Sequence, residues 1–309
     1  MDTLCSPIEE TGNPVVCYPV AGYPLGVKAK WEPMQEGSGT PSPENIRPIK
    51  GRDSVTVERC GENLVKFPYY TPAASRNGLV MTSQQDGSIT INGTATADTW
   101  LVININLEKR LPLNTPMTLS GCPAGGSTKS YYIGLYLGGK WFSDSGNGNT
   151  DIKFTTREVN SRIEASIIKG TVCNNLTLYP KIEVGTTITP YSKYQGSANT
   201  LTLPKIVYGG EVDAVMGDGK RTWEIIDNYA GETIPREWIS DRDVYSADKN
   251  PTVGAQVAYR LAEPVPFTAT GGGEITALPG VNTLITNADS VSVSGRADPI
   301  HIIEELQAK

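Results

Sequence analysis

YYIGLYLGGKW, residues 131–141, is the stretch on which the reading of the chain turns. Ile133, Leu135 and Leu137 recur at every second position, the period of a strand with one buried face. Because successive side chains alternate, Tyr132 and Tyr136 point to the opposite face, with Gly134 between them. Gly138-Gly139 makes a turn, and Trp141 follows it. The segment predicts a strand that is apolar inside and aromatic outside.

The same alternation continues on both sides. Asp86-Gly87 is a turn signal, followed by Ile89 and Ile91 alternating with polar residues. Leu101, Ile103, Ile105 and Leu107 predict one face of a long strand, with Asn104 and Asn106 on the other. Ile163, Ala165 and Ile167 form a further apolar face, and Leu176, Leu178, Ile182 and Val184 close the zone. Strands of this kind, separated by Gly, Asn and Pro turns, predict a two-sheet sandwich with apolar inner faces. Within that class, a jelly roll is expected for residues 61–196.

The flanks read differently. Pro14, Pro19, Pro24, Pro33, Pro41, Pro43 and Pro48 recur too often for a helix. Residues 1–60 predict an extended Pro/Gly-rich β arm, with GSGTPSP (Gly37–Pro43) as an exposed loop and Val55 and Val57 on a strand. Such an arm is expected to dock by adding strands to a neighbouring subunit, with Trp31 as its assembly anchor. Residues 197–309 predict a smaller, mainly β domain. Its strands are expected at Val207–Val212 (broken at Gly209-Gly210), Val257–Leu261 and Val291–Val293. Short helices are expected near Pro235–Ile239 and after the Asp298-Pro299 pair, an N-cap followed by a first-turn proline. The fold class is all-β.

Composition narrows the function. At 309 residues the chain is long enough for about two domains with real cores. Charged residues make up 19% and the formal net charge is −6, without a basic stripe, so nucleic acid has no electrostatic footprint here. The N-terminal MDTLCSPIEETGNP has no apolar run of the signal-peptide kind, and no stretch is apolar enough to insert in a membrane. The reading is a soluble protein made in a cytoplasm.

Chemistry is sparse. The five cysteines (Cys5, Cys17, Cys60, Cys122 and Cys173) form no CxxC pair, so free thiols are expected, with a Cys122–Cys173 bridge left open. His301 is the one histidine, which leaves no supported Ser–His or Cys–His dyad and no zinc ligand set. DSGNGNTD (Asp144–Asp151) lacks the acid spacing of a calcium loop and predicts a hairpin loop. Gly271-Gly272-Gly273 fits no phosphate-binding pattern. No catalytic residue, metal or cofactor is expected, and the chain reads as a non-enzyme.

The aromatic positions carry the functional signal. Tyr132, Tyr136, Trp141 and Tyr179 are candidate ligand-binding residues, flat faces set among Asn and Ser. A sugar-binding platform needs apolar area for sugar C–H faces, and amides or hydroxyls for sugar hydroxyls. The competing reading is that these rings pack against a neighbouring domain or protomer.

Several passages resemble a family of tail-associated structural proteins of phages and prophages of Gram-positive bacteria. They are WEPMQEGSGTPSPENIRPIKG (Trp31–Gly51), DGSITINGTATADT (Asp86–Thr99), LSGCPAGGS (Leu119–Ser127) and NNLTLYPKIEVG (Asn174–Gly185). VYGGEVDAVMG, VAYRLAEPVPF and ALPGVNTLITNADSVSVSGRADP extend the likeness in the same order over nearly the whole chain. Between Gly217 and Val253 the chain is short and charged, where relatives often carry longer β-rich inserts. The resemblance implies a virion component (baseplate, tail tip or fibre) with a carbohydrate-binding-module-like jelly roll. It also implies other tail proteins and host cell-wall or capsular glycans as partners, and a homo-oligomer, with a trimer favoured. A secreted carbohydrate-binding module or adhesin is the alternative, followed by an envelope polysaccharide depolymerase, which needs paired carboxylates in a cleft.

Overall fold

The structure, a computed structural model, describes residues 7–38, 48–157, 160–233 and 256–298. The described chain is all-β and dominated by antiparallel sheets, consistent with a β-sandwich. Two compact units divide it. One takes the residues up to Arg59, Ala198–Leu278 and those from Leu284 onward; the other takes Cys60–Ser197 with Pro279–Thr283.

The first unit opens with β1 (Pro7–Gly12), β2 (Val15–Cys17), β3 (Gly26–Trp31), β4 (Met34–Gln35), β5 (Ile49–Lys50) and β6 (Arg52–Cys60). In β3, GVKAKW, the alternation is strict: Val27, Ala29 and Trp31 are buried while Lys28 and Lys30 face solvent. The second unit contributes β7 (Ala73–Arg76), β8 (Leu79–Ser83), β9 (Ile89–Thr94), β10 (Thr99–Ile105), β11 (Met117–Ser120) and β12 (Tyr131–Leu137). It continues with β13 (Lys140–Asp144), β14 (Asn149–Ile152), β15 (Arg162–Ile167), β16 (Val172–Leu178) and β17 (Lys181–Val184). The chain then completes the first unit with β18 (Gly196–Val207), β19 (Gly209–Asp213), β20 (Asp218–Ile226), β21 (Val257–Thr268), β22 (Asn282–Thr286) and β23 (Ser290–Arg296).

The first unit has a six-stranded sheet, β1-β23-β3-β19-β20-β21, and a four-stranded sheet, β18-β6-β22-β2. Its core joins Val27 and Trp31 to Val55, Val57, Leu201 and Val291. β3 lies between β23 and β19 of its own chain, so it has no free edge to add to a neighbour. The assembly role expected of Trp31 is corrected likewise. Its side chain is 1% exposed in that core, and its indole N–H donates to the Val207 carbonyl at 3.0 Å.

The second unit has sheets β16-β9-β8-β7, β10-β15-β12-β13 and β14-β11-β17. Ile133, Leu135, Leu137, Ile163, Ala165 and Ile167 are fully buried, and each large one contributes about 1.5–3 kcal/mol from burial. Two expectations change here. The strand read through Leu107 ends at Ile105, because Asn106 adopts a left-handed conformation (φ 57°) and Leu107 opens a 3-10 turn. A bulge after Val102 turns Asn104 inward, where it accepts from Tyr70 N–H and donates to the Lys66 carbonyl, both at 2.7 Å.

The stretch from Asp144 to Asn149 is an inter-sheet corner instead of a hairpin loop, since β13 and β14 belong to different sheets. The Asp144 carboxylate, buried, accepts backbone N–H bonds from Cys122, Gly146 and Gly148 and so holds that corner. In the first unit, the break expected at Gly209-Gly210 falls one residue earlier, at Tyr208, where the chain leaves β18 for β19 in the other sheet. The helices expected near Pro235–Ile239 and after Asp298-Pro299, most of the GSGTPSP loop, Cys5 and His301 lie outside the described residues.

The Trp31 assignment is directly measurable. Trp31→Ala is expected to destabilise the protein by about 3–5 kcal/mol in urea unfolding. An unchanged midpoint would mean that the ring is not in the core.

Candidate ligand-binding face

β12 and β13 are joined by Gly138 (φ 56°) and Gly139 (φ 74°), both left-handed. That pair forms a two-residue turn whose twist matches the flanking strands. The turn sets the register: Tyr136 opposes Trp141 and Gly134 opposes Ser143. On the other side of β12, Tyr136 opposes Arg162, Gly134 opposes Glu164 and Tyr132 opposes Ser166. β10 extends the face, with Trp100 opposite Ser166 and Val102 opposite Glu164. Burial of Ile133, Leu135, Leu137, Ile163 and Ile167 on one side of the sheet puts all these residues on the other side.

Arg162, Tyr136 and Trp141 thus form one row across three strands. The Tyr136 and Trp141 rings are 5.5 Å apart at 54°, and the Arg162 guanidinium carbon lies 5.3 Å and 4.9 Å from their centroids. Arg162 Nε donates to Glu164 Oε2 at 2.9 Å, and Ser166 Oγ donates to Glu164 Oε1 at 3.3 Å. Gly134 makes room for this arrangement: a Cβ there would stand 3.2 Å from Trp141 Cζ3 and 3.2 Å from Ser166 Oγ. The indole rests over the glycine, and Glu164 beneath is 1% exposed. Burial pushes the Glu164 carboxyl up from its usual range, against the opposing pull of Arg162 and Ser166.

The rings on this face differ from the core aromatics in how their polar atoms are used. Trp31, Trp223, Tyr69 and Tyr229 all donate to protein acceptors, as do the half-buried Tyr131 and Tyr191. Trp100 Nε1, Trp141 Nε1 and the hydroxyls of Tyr132 and Tyr136 have no hydrogen-bond partner among the described residues. Trp141 is 51% exposed and Trp100 45% exposed.

Of the expected site residues, the structure brings Tyr132, Tyr136 and Trp141 onto one face. Tyr179 does not join them. It follows β16, outside that sheet, and its ring packs on Tyr191 at 5.1 Å. Trp100, Arg162 and Glu164 escaped the sequence reading, although parity with Leu101 and Ile103, or with Ile163 and Ala165, points them outward.

Other polar clusters are structural. The buried Lys181 and Glu183 pair at 2.9 Å around Thr189, which accepts from Lys181 and donates to Glu183. Cys122 and Cys173 are free buried thiols, so the bridge left open between them is absent. Burial and Asp144 push the Cys122 thiol up to about 12. Among the described residues, no group of three or more His, Cys, Asp or Glu is placed to hold a metal ion, and no helix is long and apolar enough to cross a membrane. The chain matches no protein-family model, no curated protein and no solved structure.

Glu164 yields a pH signature. A carboxyl raised in the folded state holds its proton more tightly there than in the unfolded chain. Stability therefore falls as pH climbs from the ordinary value of about 4.3 through the raised one, then levels off. Glu164→Gln removes that slope, so thermal melts across the window should show the variant gaining on the wild type as pH rises. A constant difference between the two would mean that Glu164 is not perturbed.

Proposed function

We propose that the chain is a structural protein of a phage tail (baseplate, tail tip or fibre) that helps attach the particle to host-surface glycans. It acts as a binding protein and not as an enzyme. The observation that carries the adhesive part is the Arg162–Tyr136–Trp141 row, a rigid aromatic surface whose polar atoms are left for an outside partner. Flat rings offer apolar area to sugar C–H faces, and the surrounding hydroxyl and N–H groups meet sugar oxygens. On the strand geometry, the backbones of Trp100 and Trp141 stand about 20 Å apart along a diagonal of the sheet, a span that suits a polymer better than a single sugar.

The virion part rests on the ordered resemblance to tail-associated proteins. In this reading the unit from Cys60 to Ser197 is a carbohydrate-binding-module-like jelly roll, and the other unit joins it to neighbouring tail proteins. A homotrimer repeated around a tail would convert weak single sites into firm attachment through avidity. The place of action is the virion, after synthesis in the bacterial cytoplasm.

Two measurements test the proposal. Labelled full-length protein should bind saturably to one or more Gram-positive cell-wall or capsular polysaccharides, and Tyr136→Ala/Trp141→Ala should weaken that binding by about tenfold or more. Failure of a well-folded protein to bind any of them would overturn the adhesive role. Antibodies to the chain should decorate phage tails in electron micrographs. Labelling confined to heads, or to no particle, would overturn the virion assignment.

A further inference from the structure

We propose that the aromatic face selects an acidic polymer, a glycan bearing carboxylate or phosphate groups, with Arg162 as the charged subsite. This rests on the glycan reading above and specifies its substrate class.

The first argument is the state of the guanidinium. Arginine carries five N–H donors, and only the one on Nε is used here, by Glu164. Those on Nη1 and Nη2 donate to no group among the described residues, while the side chain is 35% exposed. An ordinary surface arginine loses considerable rotamer freedom when it binds. Arg162 is held in advance by the buried Glu164 carboxylate on one edge and by the Tyr136 and Trp141 rings. What is left is an oriented planar fork, the geometry that pairs with a carboxylate or phosphate through two parallel N–H bonds.

The second argument is the balance of donors and acceptors. Arg162, Trp100 Nε1 and Trp141 Nε1 can only donate. The one carboxylate among the outward residues in register on these strands, Glu164, is sealed beneath Trp141 and cannot accept from a ligand. A neutral sugar hydroxyl donates as well as accepts and needs acceptors in return, which among the described outward residues in register on these strands are the hydroxyls of Tyr132, Tyr136 and Ser143. An oxyanion only accepts. A donor-heavy face with a fixed cation suits the oxyanion, and the rings beside it take the uncharged parts of the chain.

The test compares polymers that differ in charge. Full-length protein is titrated with polygalacturonate and its methyl ester, and with poly(glycerol phosphate) and a neutral glucan of similar length. At least one acidic polymer should bind about tenfold tighter than its neutral counterpart and weaken as salt is raised. The pair that shows the preference identifies carboxylate or phosphate as the group read. Arg162→Lys keeps the charge and loses the fork, so it should lose most of the preference. Arg162→Gln/Glu164→Gln removes both charges, and should abolish the preference, bringing the affinity for the acidic polymer down to that for its neutral counterpart. If either variant fails to fold, the wild-type comparison and its salt dependence decide. Equal binding of acidic and neutral polymers, lost in Trp141→Ala, would overturn the acidic preference and leave the glycan face standing. Binding to no polymer would overturn both.

Discussion

Burial of Ile133, Leu135 and Leu137 in the core of the second unit determines where every ring on the face opposite can point. A strand alternates, so once those three are inside, Tyr132, Gly134 and Tyr136 are outside, and no rotamer change can exchange them. Neighbouring strands obey the same parity. β15 buries Ile163, Ala165 and Ile167 and turns out Arg162, Glu164 and Ser166; β13 follows through the Gly138-Gly139 turn and delivers Trp141 opposite Tyr136. The platform is therefore a consequence of core packing. Shifting the register of β12 by one residue would bury its tyrosines and expose its aliphatics together.

The polar groups divide by what surrounds them. Lys181, Glu183 and Asp144 are buried and engaged by protein partners, and they tie turns and corners to the sheets. Glu164 is equally buried but has a different neighbour: its partner Arg162 reaches the surface with donors to spare. The buried Glu164 carboxylate anchors Nε of the partly exposed Arg162, and so fixes the guanidinium in place. The carboxylate acts as an orienting group, and the guanidinium presents the result to solvent.

Much of this was legible in the residues, for a physical reason. Period-two alternation is local, so the inward and outward faces of β9, β12 and β15 follow from spacing alone, as does the turn before Trp141. What spacing cannot reveal is which strands become neighbours. Trp31 lies on a proline-rich stretch that looks like a free arm, yet β3 finds β19 and β23, more than 170 residues away in the chain, and buries the indole. Tyr179 has the right parity but sits beyond β16, outside the platform sheet. Trp100 and Arg162 escaped the sequence reading, although parity places them outward, and gained meaning only when β10 and β15 came together. Asn106 illustrates a different failure, since one left-handed residue ended a strand that the aliphatic pattern would have continued.

The central claim is that the outer face of the β10-β15-β12-β13 sheet is where an envelope polymer lands. Hydroxyl-radical footprinting of the full chain, with and without purified Gram-positive wall polysaccharide, reads that face side chain by side chain. The account predicts that Trp100, Tyr132, Tyr136 and Trp141 lose reactivity together, while Met34 and Met216, exposed residues of the other unit, keep theirs. Unchanged reactivity at Trp141 and Tyr136 under conditions where the polymer is bound would contradict it.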